Sequence, residues 1–250
     1  MAYGGQGLGR FEGKVIFVPG TIPGDLVEVA LTKETKNYSH AELIRIESAS
    51  PSRRKPPCSV DSECGGCQWQ AAPYQQQIQW KQQCVEQALA RIGKLSLSDN
   101  VRFFPASDEW HYRNRVRFRG FWNGDSFEIG FFSSGSHRLI DVKKCWIAPS
   151  AVTSLVESIR TMSLSASPFR FQLDIHQLSK EQQHQHVVTV FAKKNDSGAN
   201  ELVKKLKQLP EIFWGGLASD TDSGPYFIFD QQFGKKFFSK PLQLTPGYVD

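Results

Sequence analysis

Three cysteines crowd into ten residues, Cys58, Cys64 and Cys67 in the run CSVDSECGGC, and a fourth, Cys145, follows far downstream in DVKKCWIA. A chain that must bring these thiols to one centre has little freedom in how it folds between them. Gly65 and Gly66 let the backbone turn back so that Cys64 and Cys67 face the same point. Soft thiolates select iron–sulfur clusters, zinc or copper(I) over hard cations. Four thiolates suit a [4Fe–4S] cluster. A structural zinc uses paired Cys-x2-4-Cys knuckles, and Cys145 has no second cysteine beside it. Buried, unligated cysteines are the plainest alternative. Cys84 competes with Cys145 as the fourth ligand, but it falls inside a helical pattern and reads as packing.

Five cysteines are an odd number, and three of them are too close together for a disulfide framework. This implies reduced thiols and a cytoplasmic protein. No apolar run approaches the ~18–20 residues of a membrane span, and MAYGGQGLGR lacks the apolar core of a secretory signal. The net charge of +5 is a mild basic bias, compatible with nucleic acid.

Residues 1–50 read as short strands: GKVIFVPG, then DLVEVALTKE after the Pro23-Gly24 turn, then YSHAELIRIES. This predicts a small β-barrel of the OB type, incomplete at its start. SASPSRRKPP is a proline-rich linker. Tyr74, Ile78, Val85, Leu89 and Ile92 recur on one helical face, predicting a helix over 73–93 that starts at Pro73 and ends at Gly93. Strands return with HYRNRVRFRGFW, turn at Asn123-Gly124-Asp125, and continue through SFEIGFFS and HRLIDVKKC. A helix near 149–162, the alternating strand FRFQLDIHQL, its hairpin partner HVVTVFA and a short helix at ELVKKLKQL complete the pattern, with strands to the end. The expected class is α+β, a barrel followed by a mixed α/β central domain.

In HYRNRVRFRG, Arg113, Arg115, Arg117 and Arg119 alternate and share one strand face, neighbours about 6.6 Å apart. Such a guanidinium ladder matches a phosphate chain; the plain alternative is a solvated face neutralised by acids such as Glu128 or Asp141. Arg53 and Arg54, with Lys55, add a second basic patch beside the cysteine loop. Gly4, Gly5, Gly7 and Gly9 precede a strand rather than a helix, so they make a tight turn and not a dinucleotide loop. His184 and His186, with His176 nearby, read as a surface hairpin turn.

Together these residues resemble the S-adenosylmethionine-dependent RNA uracil-5 methyltransferases that carry a TRAM domain and an iron–sulfur cluster. GQGLGRFEGKVIFVPGTIPGD is similar to the TRAM opening. SPSRRKPPC and CGGCQWQ, with Tyr74 and Lys81, resemble the cluster loop and its helix. HYRNRVRF and IGFFSSGSHRLIDVKKCWI resemble central-domain strands. The resemblance implies a [4Fe–4S] cluster on Cys58, Cys64, Cys67 and Cys145, and RNA, ribosomal or transfer, as partner.

It also implies a Rossmann-like catalytic domain with the methyl-donor site, which the sequence-based reading places beyond PLQLTPGYVD. The expected domains are therefore 1–50 (TRAM), 51–72 (linker and cluster loop), 73–101 (a helix that packs on a missing catalytic domain) and 102–250 (central RNA-binding domain). No residue receives a catalytic role, and S-adenosylmethionine enters only with a supplied catalytic domain. On this expectation the chain is a truncated product, a fragment or half of a split enzyme, inactive alone. Its 73–93 helix would meet a separate methyltransferase domain or a second copy. A stand-alone iron–sulfur RNA-binding protein is the alternative.

Overall fold

The computed structural model describes residues 1–2, 4–95, 102–178 and 185–219. β1 (Gly7–Phe11) and β2 (Lys14–Val18) form a hairpin. Both turn residues, Glu12 and Gly13, have positive φ (48° and 80°), the primed-turn geometry that follows strand twist. β3 (Leu26–Glu34) and β4 (Tyr38–Ser48) pair antiparallel, and β2 pairs with β4 in parallel. The resulting order is β1-β2-β4-β3. The segment between β2 and β3 is pinned by Asp25, which accepts the amides of Ile22 (2.8 Å) and Ser50 (2.9 Å).

Helix α1 (Tyr74–Arg91) begins after Pro73, whose missing N–H is no loss at a helix start. It is anchored mainly at its first half. Trp80 is buried with Ile22, Ala71 and Ala72, and the Trp69 ring lies 6.1 Å from that of Trp80. Of the apolar stripe, Tyr74, Ile78 and Leu89 are half-buried, whereas Val85 is 42% and Ile92 85% exposed.

The larger sheet has six strands in the order β10-β9-β8-β5-β6-β7. Its strands are β5 (Arg115–Trp122), β6 (Phe127–Phe132), β7 (Leu139–Asp141), β8 (Phe169–Gln177), β9 (His186–Ala192) and β10 (Ile212–Ser219). All pairs are antiparallel except β9–β10. A parallel pair needs a crossover, and α3 (Ser197–Leu206) supplies it, capped by Asp196, which accepts the Ala199 amide at 2.9 Å. With α2 (Ser150–Arg160), α3 covers one face of the sheet. Val116, Phe118, Trp122, Leu173 and Ile175 pack there against Val152, Leu155, Ile159 and Leu202. Asn123 fixes the β5–β6 turn by accepting the amides of Asp125 and Ser126.

The expected fold class needs correction. Among the described residues the elements are mostly strands, ten strands to three helices. The N-terminal part is a mixed four-stranded sheet, not a barrel by its hydrogen-bonded order. The central part is a predominantly antiparallel sheet with helices on one side, not an α/β layering. Two local readings also change. β5 starts at Arg115, because the amides of His111 and Arg113 bond instead to the carbonyls of Trp146 (2.9 Å) and Ile147 (3.0 Å). His186 is no surface turn residue: it opens β9 and is 1% exposed, its amide bonded to the Glu211 carbonyl at 2.9 Å. His184 and the strands expected after residue 219 lie outside the described residues.

Candidate functional site

The cysteine loop docks on the end of β6. The Gly65 amide donates to the Phe132 carbonyl at 3.0 Å, the Ser134 amide to the Glu63 carbonyl at 3.3 Å, and Cys64 bridges to Ser133. The Gly65 Cα lies so close to this edge that a Cβ there would stand 3.0 Å from the Phe132 carbonyl oxygen, a tight contact that the loop and the β6 edge would have to relax to accept. On the far side, residues 111–113 strap the stretch after Cys145 to the start of β5. The result is one cavity of about 190 Å³ lined by Cys58, Cys64, Cys67 and Cys145, with Asp61, Arg113 and Trp146 in its wall. The volume far exceeds the ~10–15 Å³ that one water needs.

Burial pushes the Cys64, Cys67 and Cys145 thiols up from their ordinary pKa, and their cysteine neighbours push in the same direction. Opposing donors are aimed at each sulfur: the Gly66 amide at Cys64, the Gln70 side chain at Cys67, and the Ala148 and Ile147 amides at Cys145. Amides aimed at sulfur are the preparation a thiolate needs, and a bound cation would complete it. Among the described residues no three His, Cys, Asp or Glu side chains converge tightly enough to hold a metal ion. The four thiols line one roomy cavity without converging on a single ion position. They are compatible with a polynuclear group, in which each sulfur binds a different metal atom. Cys84 does not line this cavity; its thiol faces the Met1 carbonyl at 3.7 Å from α1.

The six arginines singled out from the sequence do not behave alike. Arg53 is 16% exposed and grips Asp25, itself 1% exposed, at 2.6 Å. Arg54 pairs with Glu109, donates to the Gln70 carbonyl at 2.9 Å and stacks over Trp110. Both guanidiniums are thereby paired with carboxylates and drawn inward. Arg113 precedes β5 and turns to the cysteine cavity. Arg115, Arg117 and Arg119 do share the strand face away from α2 and α3. Arg115 and Arg117 both bind Asp174, at 2.6 and 2.7 Å, while staying 60% and 50% exposed. Asp174 sits opposite Arg117 in β8; its alternation with Gln172 and His176 was the only sequence signal for it.

Asp25, Asp141 and Asp174 share one electrostatic pattern. Burial alone would raise each carboxyl, but hydrogen bonds and charges from Arg53 for Asp25, Lys143 and Arg160 for Asp141, and Arg115 and Arg117 for Asp174 bring each below its ordinary value. A carboxyl with a depressed folded-state pKa contributes stability above its unfolded value near 3.9, and that stability disappears as pH falls through the folded value. Thermal midpoints should therefore be flat from about pH 7 to pH 5 and drop steeply below about pH 4. Scanning calorimetry across this range checks it; a midpoint independent of pH down to pH 3 would refute the three-carboxylate account.

A family model described as TRAM domain matches residues 2–44. An uncharacterized RNA methyltransferase of Synechocystis is 36% identical over 157 residues, covering 62% of this chain and 34% of the relative. The 23S rRNA (uracil(1939)-C(5))-methyltransferase of Shewanella amazonensis is 32% identical over 160 residues, covering 63% and 36%. The chain thus spans about a third of the length of these curated relatives. Among solved structures, Pyrococcus abyssi tRNA (uracil-54, C5)-methyltransferase in complex with S-adenosyl-L-homocysteine aligns with a TM-score of 0.52 at 19% identity, over 87% of this chain and 50% of that one. This completes the correction of the fold class: most of the chain follows the backbone of a methyltransferase, rather than standing apart from a methyltransferase fold. The chain thus carries a TRAM domain over residues 2–44 and, over about 160 residues, is similar to RNA methyltransferases, among them a uracil-C5 methyltransferase of ribosomal RNA.

Proposed function

We propose that this chain provides the RNA-recognition and iron–sulfur portion of an S-adenosylmethionine-dependent RNA uracil-5 methyltransferase of the cytoplasm, acting on ribosomal or transfer RNA. The observation that carries the reading is the meeting of Cys58, Cys64, Cys67 and Cys145 at one cavity with Arg113 in its wall and Arg117 at its rim. The four thiols are the donor set of a [4Fe–4S] cluster, and Cys145 has no second cysteine beside it to make the paired knuckles of a structural zinc. Bound there, a cluster would offset the burial of the thiolates and tie the cysteine loop to the segment before α2. S-adenosylmethionine supplies the methyl group in the reaction of the family, and we assign no residue of this chain to it. In this reading residues 1–50 and 102–250 contact RNA, 51–72 carry the cluster, and the 73–101 segment with its exposed Val85 and Ile92 faces a partner surface.

Salt dependence tests the RNA contact. Arg115→Ala with Arg119→Ala removes two cations, while Asp174 keeps Arg117 and is not left unpaired. Each phosphate contact to single-stranded nucleic acid contributes about 0.7 to the slope of log affinity against log salt, so the double variant should flatten that slope by about 1.4. Unchanged affinity and slope would exclude this sheet face as the RNA surface.

A further inference from the structure

A sheet covered by helices on one side normally presents polar residues on the other. Here the uncovered face also carries three phenylalanines, Phe121 on β5, Phe132 on β6 and Phe191 on β9, all half-buried and none among the core that packs under α2 and α3. Each lies under a guanidinium from another strand: Arg119 is 4.8 Å from the Phe132 ring centroid, Arg170 5.0 Å from Phe121, and Arg117, reaching across β8, 5.3 Å from Phe191. The face bears Arg115, Arg117, Arg119 and Arg170 against the acids Glu128 and Asp174, so it is net cationic. Among the described residues no carboxylate pairs with Arg119 or Arg170.

We propose that this face is a stacking surface for the bases of single-stranded RNA, with Phe121, Phe132 and Phe191 as separate base subsites. This deepens the proposed function and rests on it. A phenyl ring offers a flat partner to any base, and stacking contributes strongly and without sequence preference. The guanidiniums shield the rings from water in the free protein. When a base takes a ring, the displaced guanidinium stays within reach of the flanking phosphate. Strand spacing near 4.8 Å and a rise near 3.4 Å per residue put the three rings roughly 12–16 Å apart. That is too far for one base to touch two rings, and it suits an extended strand. Duplex RNA has its bases already stacked on one another and is excluded by the same geometry.

The test uses the purified 250-residue chain and a fluorescein-labelled single-stranded 12-nucleotide oligouridylate. Phe121→Leu, Phe132→Leu and Phe191→Leu keep apolar bulk and remove the aromatic plane. Each should weaken binding about 5-fold or more, with the salt slope unchanged because no phosphate contact is removed. Duplex RNA of the same length should fail to compete. Ultraviolet cross-linking of the unsubstituted chain, followed by peptide mass spectrometry, should place uridine adducts on β5, β6 and β9, a readout independent of how the variants fold. Leucine variants that bind within twofold of the unsubstituted chain, adducts confined to other segments, or equal competition by duplex overturn the stacking surface while leaving RNA binding intact. A chain that binds no RNA at all overturns the proposed function together with it.

Discussion

On the proposed cluster, Cys145→Ser is expected to abolish most iron binding and the broad thiolate-to-iron absorbance, whereas Cys84→Ser should leave both unchanged. The two thiols are equally invisible to composition; they differ in place. Cys145 lines the cavity with Cys58, Cys64 and Cys67, and Cys84 faces Met1 from helix α1. The proposed metal staple between the cysteine loop and Cys145 would also restrict the unfolded chain across a long loop. If it acts as other covalent cross-links do, its loss costs about 2–5 kcal/mol. For a chain of this size that lowers the thermal midpoint by roughly 5–15 °C. Iron and sulfide analysis of anaerobically prepared protein, with thermal melts of both variants, measures the effect. Stoichiometric zinc without iron, or an iron content equal in the Cys145→Ser variant, would exclude the cluster.

Asp25→Ala should be the most destabilising single substitution in the N-terminal half. Its carboxylate accepts from the amides of Ile22 and Ser50 and from both Nε and Nη2 of Arg53. The ion pair alone does not stabilise strongly, because desolvating both charges offsets their attraction. Removing one partner is different: it leaves two amides without their acceptor and the Arg53 guanidinium with the Gly20 carbonyl in place of a carboxylate, at about 3 kcal/mol. Asp25→Asn keeps one oxygen acceptor and loses the charge, so it should cost less than the alanine. Urea denaturation of the two variants at pH 7 gives the order directly. At pH 3, where the carboxylate is substantially protonated in the unfolded chain, the difference between Asp25→Ala and the unsubstituted protein should shrink. An alanine variant as stable as the parent would show that Asp25 does not hold β2–β3 to the linker.

Local pattern carried much of the architecture into the sequence. Alternating residues in FRFQLDIHQ became β8, the apolar stripe after Pro73 became α1, and Asn123-Gly124 turned β5 into β6. These features depend on neighbours within a few residues, so a linear reading reaches them. The spacing of Cys58, Cys64 and Cys67 likewise keeps these thiols close in the chain, and they line one cavity together with Cys145. Tertiary structure alone decided which cations remain available, because the carboxylates that claim them lie far away in sequence: Asp25 for Arg53, Glu109 for Arg54, and Asp174 for Arg115 and Arg117. It also turned Arg113 out of the ladder, by bonding its amide to Ile147 beside Cys145 rather than to a strand. And it put Phe121, Phe132 and Phe191 on one open face, a grouping made by strand order and register across three different strands. Charge pairing and register are long-range choices, settled by which surfaces pack, and no window of neighbouring residues contains them.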